Sequence, residues 1–259
     1  MEHHEELLEL LTAAVERCPK GDRAVAFSGG LDSSLVAHLA GKNRENGDVR
    51  LYTVGIDGSD DLIHAEAAAR ELDLPFIPIK ITEEEVIGAI PDVVKAIGTA
   101  DPVPVSFELP LYFVARECEE KIILVGQGAD ELFGGYARYS KMTEREAEER
   151  IRADVESLVS SGINRDRNVA ALFGKLLYCP FLEKDVVEYS LKIPIAEKIT
   201  ETEKKAVLRK TARLAGLNLP AERPKKAAQY GSGVMKVMKK MAKKEGMGVR
   251  EWVEAQKKN

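Results

Sequence analysis

Two short runs in this 259-residue chain carry residue types and spacings suited to phosphate and metal chemistry. In "FSGGLDSS" (27–34), Ser28, Gly29 and Gly30 follow an apolar run, and Asp32, Ser33 and Ser34 fall in the first turn of the next element. Glycines let a backbone curl with its N–H groups inward, and a helix N-terminus adds partial positive charge, so such a turn can cradle a phosphate chain. Hydroxyls beside it can meet phosphate oxygens, and a carboxylate there can hold Mg²⁺. An ordinary tight turn would leave that cluster of Asp32, Ser33 and Ser34 unexplained. Neither GxxxxGK[ST] nor GxGxxG is present, so this is a phosphate loop of a different kind. The second run, "VGQGADE" (125–131), again follows an apolar stretch and offers Asp130. If the strands before the two turns are neighbours, Asp32 and Asp130 face each other across one crevice, and two carboxylates suit a magnesium that also binds phosphate.

The elements that must position these residues alternate. "RAVAF" (23–27), "RLYTVGI" (50–56), "PFIPIKI" (75–81) and "KIILVG" (121–126) read as strands. Between them lie helical patterns at "LDSSLVAHLAG", with Gly41 as its expected C-cap, at "DDLIHAEAAARELDL", and around 83–97 and 107–120. Strand–helix alternation predicts a parallel sheet covered on both faces. From about Ser140 the pattern is almost wholly helical, interrupted at "CP" (179–180), "IP" (193–194) and "NLPAERP" (218–224). This predicts an α/β region over 1–140 and a helical region over 141–259, packed together with a soft boundary.

"SGGLDSS", "TVGIDGS", "GQGADELFGGYARY" and "KKAVLRKTA" through "RPKKAAQYGSG" together resemble the synthetase domain of the asparagine synthetase family, in that order and over nearly the whole chain. The first run alone looks like the pyrophosphate-binding loop of N-type ATP pyrophosphatases and would be shared with GMP synthetase-like and tRNA-modifying relatives; the GxG[AS]DExFGGY run is far narrower. The resemblance implies an adenine nucleotide alpha hydrolase-like (PP-loop) fold. It implies that Ser28, Gly29, Gly30, Asp32, Ser33 and Ser34 hold the pyrophosphate end of ATP. Val54 and Gly55 would contact adenine, Gly126 would lie near the ribose and α-phosphate, and Asp32 and Asp130 would carry Mg²⁺. Lys226 would match the lysine that stabilises charge during acyl transfer, with Lys225 the alternative one residue away. Gln127 and Glu131 join Lys226 in the implied catalytic group.

The chemistry implied is ATP-dependent amide formation: a carboxylate, aspartate as first candidate, is adenylated with loss of pyrophosphate, and an amine then displaces AMP. Two departures from the family bear on this. Full-length members begin with a glutaminase domain whose nucleophilic cysteine directly follows Met1, whereas here the second residue is Glu2. The nitrogen source is then expected to be free ammonia, another amine, or ammonia handed over by a separate glutaminase subunit. Members also commonly carry Glu where this chain has Gln127, and an amide cannot accept the amine's proton. Either another group takes that proton or the substrate is not aspartate. Tyr136 and Tyr139 stand beside the same run, where aromatics more often pack than react.

Composition narrows the rest. The 44% hydrophobic content suffices for a full core, and no apolar run approaches the roughly eighteen residues of a membrane span, so a cytoplasmic protein, compatible with a homodimer, is expected. A net charge of −5 disfavours general nucleic-acid binding, although the tail from Lys225 is lysine-rich; the default for such a tail is a solvated helix face. Cys18, Cys118 and Cys179 form no CxxC pair and are expected as buried thiols; the sharper alternative is an iron–sulfur site. Against the ligase stand an adenylating enzyme acting on another carboxylate or on tRNA, and a nucleotide-binding homologue without activity.

Overall fold

The computed structural model describes residues 2–222 and 228–256. Its centre is a sheet of β1 (Arg23–Ala26), β2 (Val49–Gly55), β3 (Phe76–Lys80), β4 (Ile122–Leu124) and β5 (Leu176–Tyr178), in the order β3-β2-β1-β4-β5. Every pairing is parallel. The helices of the first half are α1 (His3–Glu16), α2 (Leu31–Lys42), α3 (Asp60–Leu72), α4 (Glu83–Ile97) and α5 (Pro102–Glu117). Then come α6 (Ala129–Phe133), α7 (Glu144–Ser157), α8 (Ile163–Ala171), α9 (Lys184–Ser190), α10 (Ile195–Lys198) and α11 (Ala206–Leu214). The chain ends with α12 (Leu219–Glu222), α13 (Ala228–Gly231), α14 (Val234–Lys244) and α15 (Val249–Gln256).

Strand side chains alternate between two cores, as the period of two requires. Val25, Leu51, Ile122 and Leu124 point into one core with α1, α2, α3, α7 and α11. Ala24, Tyr52, Ile123 and Leu177 point into the other with α4, α5, α8, α14 and α15. Both faces being buried, the strands read as continuous apolar runs, which is why they were legible.

Three local expectations are corrected. Helix α2 runs through Gly41 and is capped at Asn43; Gly41 instead leaves room for Leu74, whose side chain would lie 3.0 Å from an added Cβ. Helix α5 starts at Pro102, five residues before its apolar spacing begins: the Asp101 carboxylate accepts the Val103 N–H at 3.0 Å, and a proline at the first helical position forfeits no bond. The second half also supplies a strand. β5 is three residues long, too short to show a period, and exists because Ile122, Ile123 and Leu124 offer it a partner.

The three cysteines are free and buried, with the Cys18 thiol pushed up to about 11 by burial. Among the described residues no set of three or more His, Cys, Asp and Glu is placed to hold a metal. Helix α14 buries Val234, Met235, Val237 and Met238 and exposes its lysines, Lys240 pairing with Glu83 at 2.6 Å, so the expected solvated face is found there. No helix among the described residues is long and apolar enough to cross a membrane.

Candidate active site

Strands β1 and β4 are neighbours, with β2 and β3 beyond β1 and β5 beyond β4, so the order of the sheet reverses between them; a crevice at carboxyl ends is dictated there. The turn after β1 is tied to the sheet: Phe27 N–H donates to the Tyr52 carbonyl at 2.8 Å and the Thr53 hydroxyl donates to the Phe27 carbonyl. Gly29 has φ +65, and a Cβ there would lie 2.7 Å from the Ala65 Cα, so close packing of α3 demands glycine. Ser28 N–H donates to Ser33 Oγ at 3.2 Å and Gly30 N–H to Ser28 Oγ at 3.3 Å. Both bonds are at the long end of their range, and a phosphate oxygen is a stronger acceptor for either N–H.

The turn after β4 approaches the first one closely. A Cβ on Gly126 would stand 2.8 Å from the Asp32 Cβ and 3.1 Å from the Ser33 nitrogen. Gly128 caps α6 at φ +97, which puts Asp130 in the helix's first turn. Asp32 and Asp130 do face each other, as expected, and the Lys205 ammonium lies between them. Its Nζ is 2.8 and 2.7 Å from the Asp32 carboxylate oxygens and 2.6 Å from Asp130 Oδ1. The Lys205 side chain is 5% exposed. Burial pulls its pKa down, but the two carboxylates outweigh burial and hold it above the ordinary lysine value, so it stays charged.

Lys205 also has φ +55, a left-handed conformation that a lysine seldom adopts, immediately before α11. The strain is held by its surroundings, as happens at functional sites. Gly135 makes room for the pair: an added Cβ would overlap the Asp130 carboxylate and stand 2.5 Å from Lys205 Cε. Gly135→Ala and Gly126→Ala should therefore each lower stability by about 1–3 kcal/mol. Gly88→Ala, in open space within α4, should raise it by roughly 0.5–1 kcal/mol. Urea midpoints at unchanged m test this, and a wild-type midpoint for Gly126→Ala would refute the close approach.

These groups open onto a cavity of about 470 Å³. Of the residues expected from the sequence, Ser28, Gly30, Asp32, Ser33, Val54, Gly126, Gln127 and Asp130 line it together. Gly29, Ser34, Gly55 and Glu131 do not. Ser34 is fully buried in α2, and a Cβ on Gly55 would overlap the Ser59 hydroxyl, so both serve the loop's packing. Glu131 is buried behind the cavity wall, where its carboxylate accepts the Tyr136 hydroxyl at 2.5 Å. Burial, then the Glu131 charge, raises the Tyr136 phenol far above the ordinary range. Tyr136 lines the cavity, whereas Tyr139 is 1% exposed and donates to Asp154 at 2.6 Å, a packing role. Lys225 and Lys226 lie outside the described residues.

Several polar cavity residues escaped the sequence reading, among them Lys205, Glu108 and Asp166. Lys205 is the second of a Lys-Lys pair, and nothing in residue type separates it from Lys204. Glu108 did leave a signal, for it sits on the inward stripe formed by Val105, Leu109 and Tyr112.

A parallel α/β sheet with "SGGLDSS" at its switch point and a second glycine turn facing it defines the PP-loop class of adenine-nucleotide-binding folds. Within that class the chain belongs to the asparagine synthase family, which it matches over residues 6–178 and 143–254. It is 36% identical over 261 residues to "Putative asparagine synthetase [glutamine-hydrolyzing] 1" of Methanocaldococcus jannaschii, covering 86% of this chain and 48% of that one. It is 31% identical over 227 residues to asparagine synthetase [glutamine-hydrolyzing] of Gallus gallus, covering 82% and 40%. The chain thus spans less than half the length of these relatives. Among solved structures, NMN synthetase from Francisella tularensis is a distant likeness, with a TM-score of 0.45 at 13% identity, covering 99% of this chain and 92% of that one.

Proposed function

We propose that this chain is an ATP-dependent amide-forming ligase: it adenylates a carboxylate, aspartate first, and passes the acyl group to ammonia, releasing AMP and pyrophosphate. The observation that carries the reading is the convergence of Asp32, Asp130 and Lys205 beside two glycine turns at a sheet switch point. A carboxylate is a poor acyl donor because its leaving group is poor. Attack by its oxygen on the α-phosphorus of ATP expels pyrophosphate, and the charge that develops there needs fixed positive groups. Backbone N–H groups of Ser28 and Gly30, the α2 N-terminus and Lys205 are such groups, and all are held in place before substrate arrives.

The two aspartates fit magnesium. Both carboxylates are directed at one point, where an ammonium sits, and two carboxylates plus phosphate oxygens are the donors this ion takes. Bound there, magnesium supplies Lewis-acid neutralisation of the departing pyrophosphate. Val54 and Gly126 border the cavity where a nucleotide would extend from that point. Membership of the family supports ATP as the activating substrate. The nitrogen source assigned is ammonia, free or from a partner subunit.

Gln127 lines the cavity and can hydrogen-bond an amine or a carboxylate but take no proton from either. If it only orients the amine, Gln127→Glu should preserve adenylation and speed amide formation by on the order of a hundredfold, the worth of a positioned base. If the amide reads a different acceptor, the same change should slow that step. Pyrophosphate–ATP exchange across a panel of carboxylic acids, then partition of the acyl-adenylate between amide and hydrolysis in both proteins, measures this. Absence of any aspartyl-adenylate would remove aspartate as substrate, and absence of exchange with every acid would remove the ligase reading itself.

A further inference from the structure

One wall of the cavity is acidic. Glu108 on α5 is 2% exposed, Asp166 on α8 is 5% exposed, and both line the cavity. They interact with each other: burial raises the Glu108 carboxyl first, and the Asp166 charge carries it further, to about 10, against a smaller opposing pull from Arg165. Asp166 is raised as well by burial, with its hydrogen bond to Glu108 and the charges of Arg165 and Arg167 opposing. Hydrogen-bonded to each other, two such carboxyls hold a proton between them.

Arg165 and Arg167 act on the pair through their charge alone. Neither carboxylate takes part in a salt bridge among the described residues, and Glu108 Oε2 has no hydrogen-bond partner although it is buried. The basic side chains that line the same cavity are engaged elsewhere: Lys205 with the two aspartates, Arg138 with Asp154 at 2.7 Å, and Arg209 with the Lys204 carbonyl at 2.9 Å. A buried acid pair of this kind is poor at stabilising a fold, since apolar side chains of the same size would serve as well or better. A buried carboxyl oxygen without a partner, on a residue that lines the cavity, asks instead for a small hydrogen-bond-donating cation.

We infer that the Glu108–Asp166 pair is the subsite for the protonated nitrogen donor, ammonium, with Glu108 Oε2 accepting one of its N–H bonds. The inference rests on the ligase reading and adds to it the proton acceptor that Gln127 cannot be. An ammonium ion must lose a proton before it is a nucleophile. One N–H bond breaks, the proton passes to the singly protonated carboxyl pair, and the nitrogen keeps the electron pair. That pair forms the C–N bond to the acyl-adenylate, the C–O bond to phosphate breaks, and AMP leaves with its electrons. The second surplus proton on the new amide nitrogen passes to water.

Direct binding is tested first, without turnover. In protein carrying ¹³C-labelled Glu and Asp carboxyls, the Glu108 and Asp166 signals should move saturably with ammonium chloride and stay still in sodium chloride of equal ionic strength. Glu108→Gln should abolish the response of Asp166. In turnover, Glu108→Gln and Asp166→Asn should each raise the KM for ammonium roughly ten- to a hundredfold, the worth of a hydrogen bond to a charged group, while the KM for ATP in pyrophosphate exchange moves far less. Thermal melts of both variants separate loss of fold from loss of the subsite. Carboxyl signals indifferent to ammonium, or equally responsive to sodium, would overturn the inference, as would a shift in the KM for the carboxylic acid instead of ammonium. Failure of exchange with every acid would sink the ligase reading while the carboxyl signals still decided the subsite.

Discussion

Lys205→Met should cut pyrophosphate–ATP exchange by on the order of a hundred- to a thousandfold, the usual cost of deleting one preorganised charge from such a site. Three features make this the most exposed test of the site. The ammonium is buried and bonds both aspartates. Its backbone is held in a left-handed conformation. Gly135 leaves the volume it occupies. Lys205→Gly separates charge from backbone strain, because glycine adopts φ +55 without penalty. If the charge matters, Lys205→Gly should be as inactive as Lys205→Met although its backbone is relaxed. Lys204→Met, one residue earlier, should leave exchange unchanged, since only the Lys204 carbonyl is used, by Arg209. Lys226→Met is the decisive comparison with the sequence expectation. Full activity in Lys205→Met with its loss in Lys226→Met would hand the role back to Lys226 and leave Lys205 a structural ion pair.

Asp32→Asn and Asp130→Asn should each lower AMP formation by at least roughly a hundredfold at ordinary Mg²⁺, and the double variant should be little worse than either single one. Two ligands of one ion, and two partners of one lysine, act as a unit, so their losses should not add. Each change keeps the size of the side chain, so urea midpoints report whether the fold survives. Retention of near-normal turnover at low Mg²⁺ by either variant would separate the two carboxylates and end the shared-metal assignment. Additive losses in the double variant would end it too.

The first four strands, the two glycine turns and the facing of Asp32 and Asp130 were legible because each is written locally. A buried parallel strand is a continuous apolar run, and Ser-Gly-Gly before Asp-Ser-Ser at a strand end has few other uses. The family followed from "GQGADELFGGYARY" for the same reason: the residues of that run are adjacent in sequence as well as in space. Boundaries suffered where a local rule had an exception, as with prolines 102 and 104, which suggest a loop but open α5 behind the Asp101 cap.

Tertiary structure alone decided what depends on distant segments meeting. β5 is a strand only because β4 presents a free edge, so its three residues carry no pattern of their own. Lys205 comes to the aspartates from 173 positions beyond Asp32, and no spacing announces a contact made over the carboxyl ends of the sheet. Glu108 and Asp166 meet because α5 packs on α8; each alone is a charged residue in a helix, and only their shared burial makes them a proton-holding pair. Sequence thus determined the chemistry of each turn, which short-range backbone preferences and residue type control. Which cation stands between the two carboxylates, and where a second acid site opens in the wall, were set by long-range packing, whose partners are chosen by the whole fold.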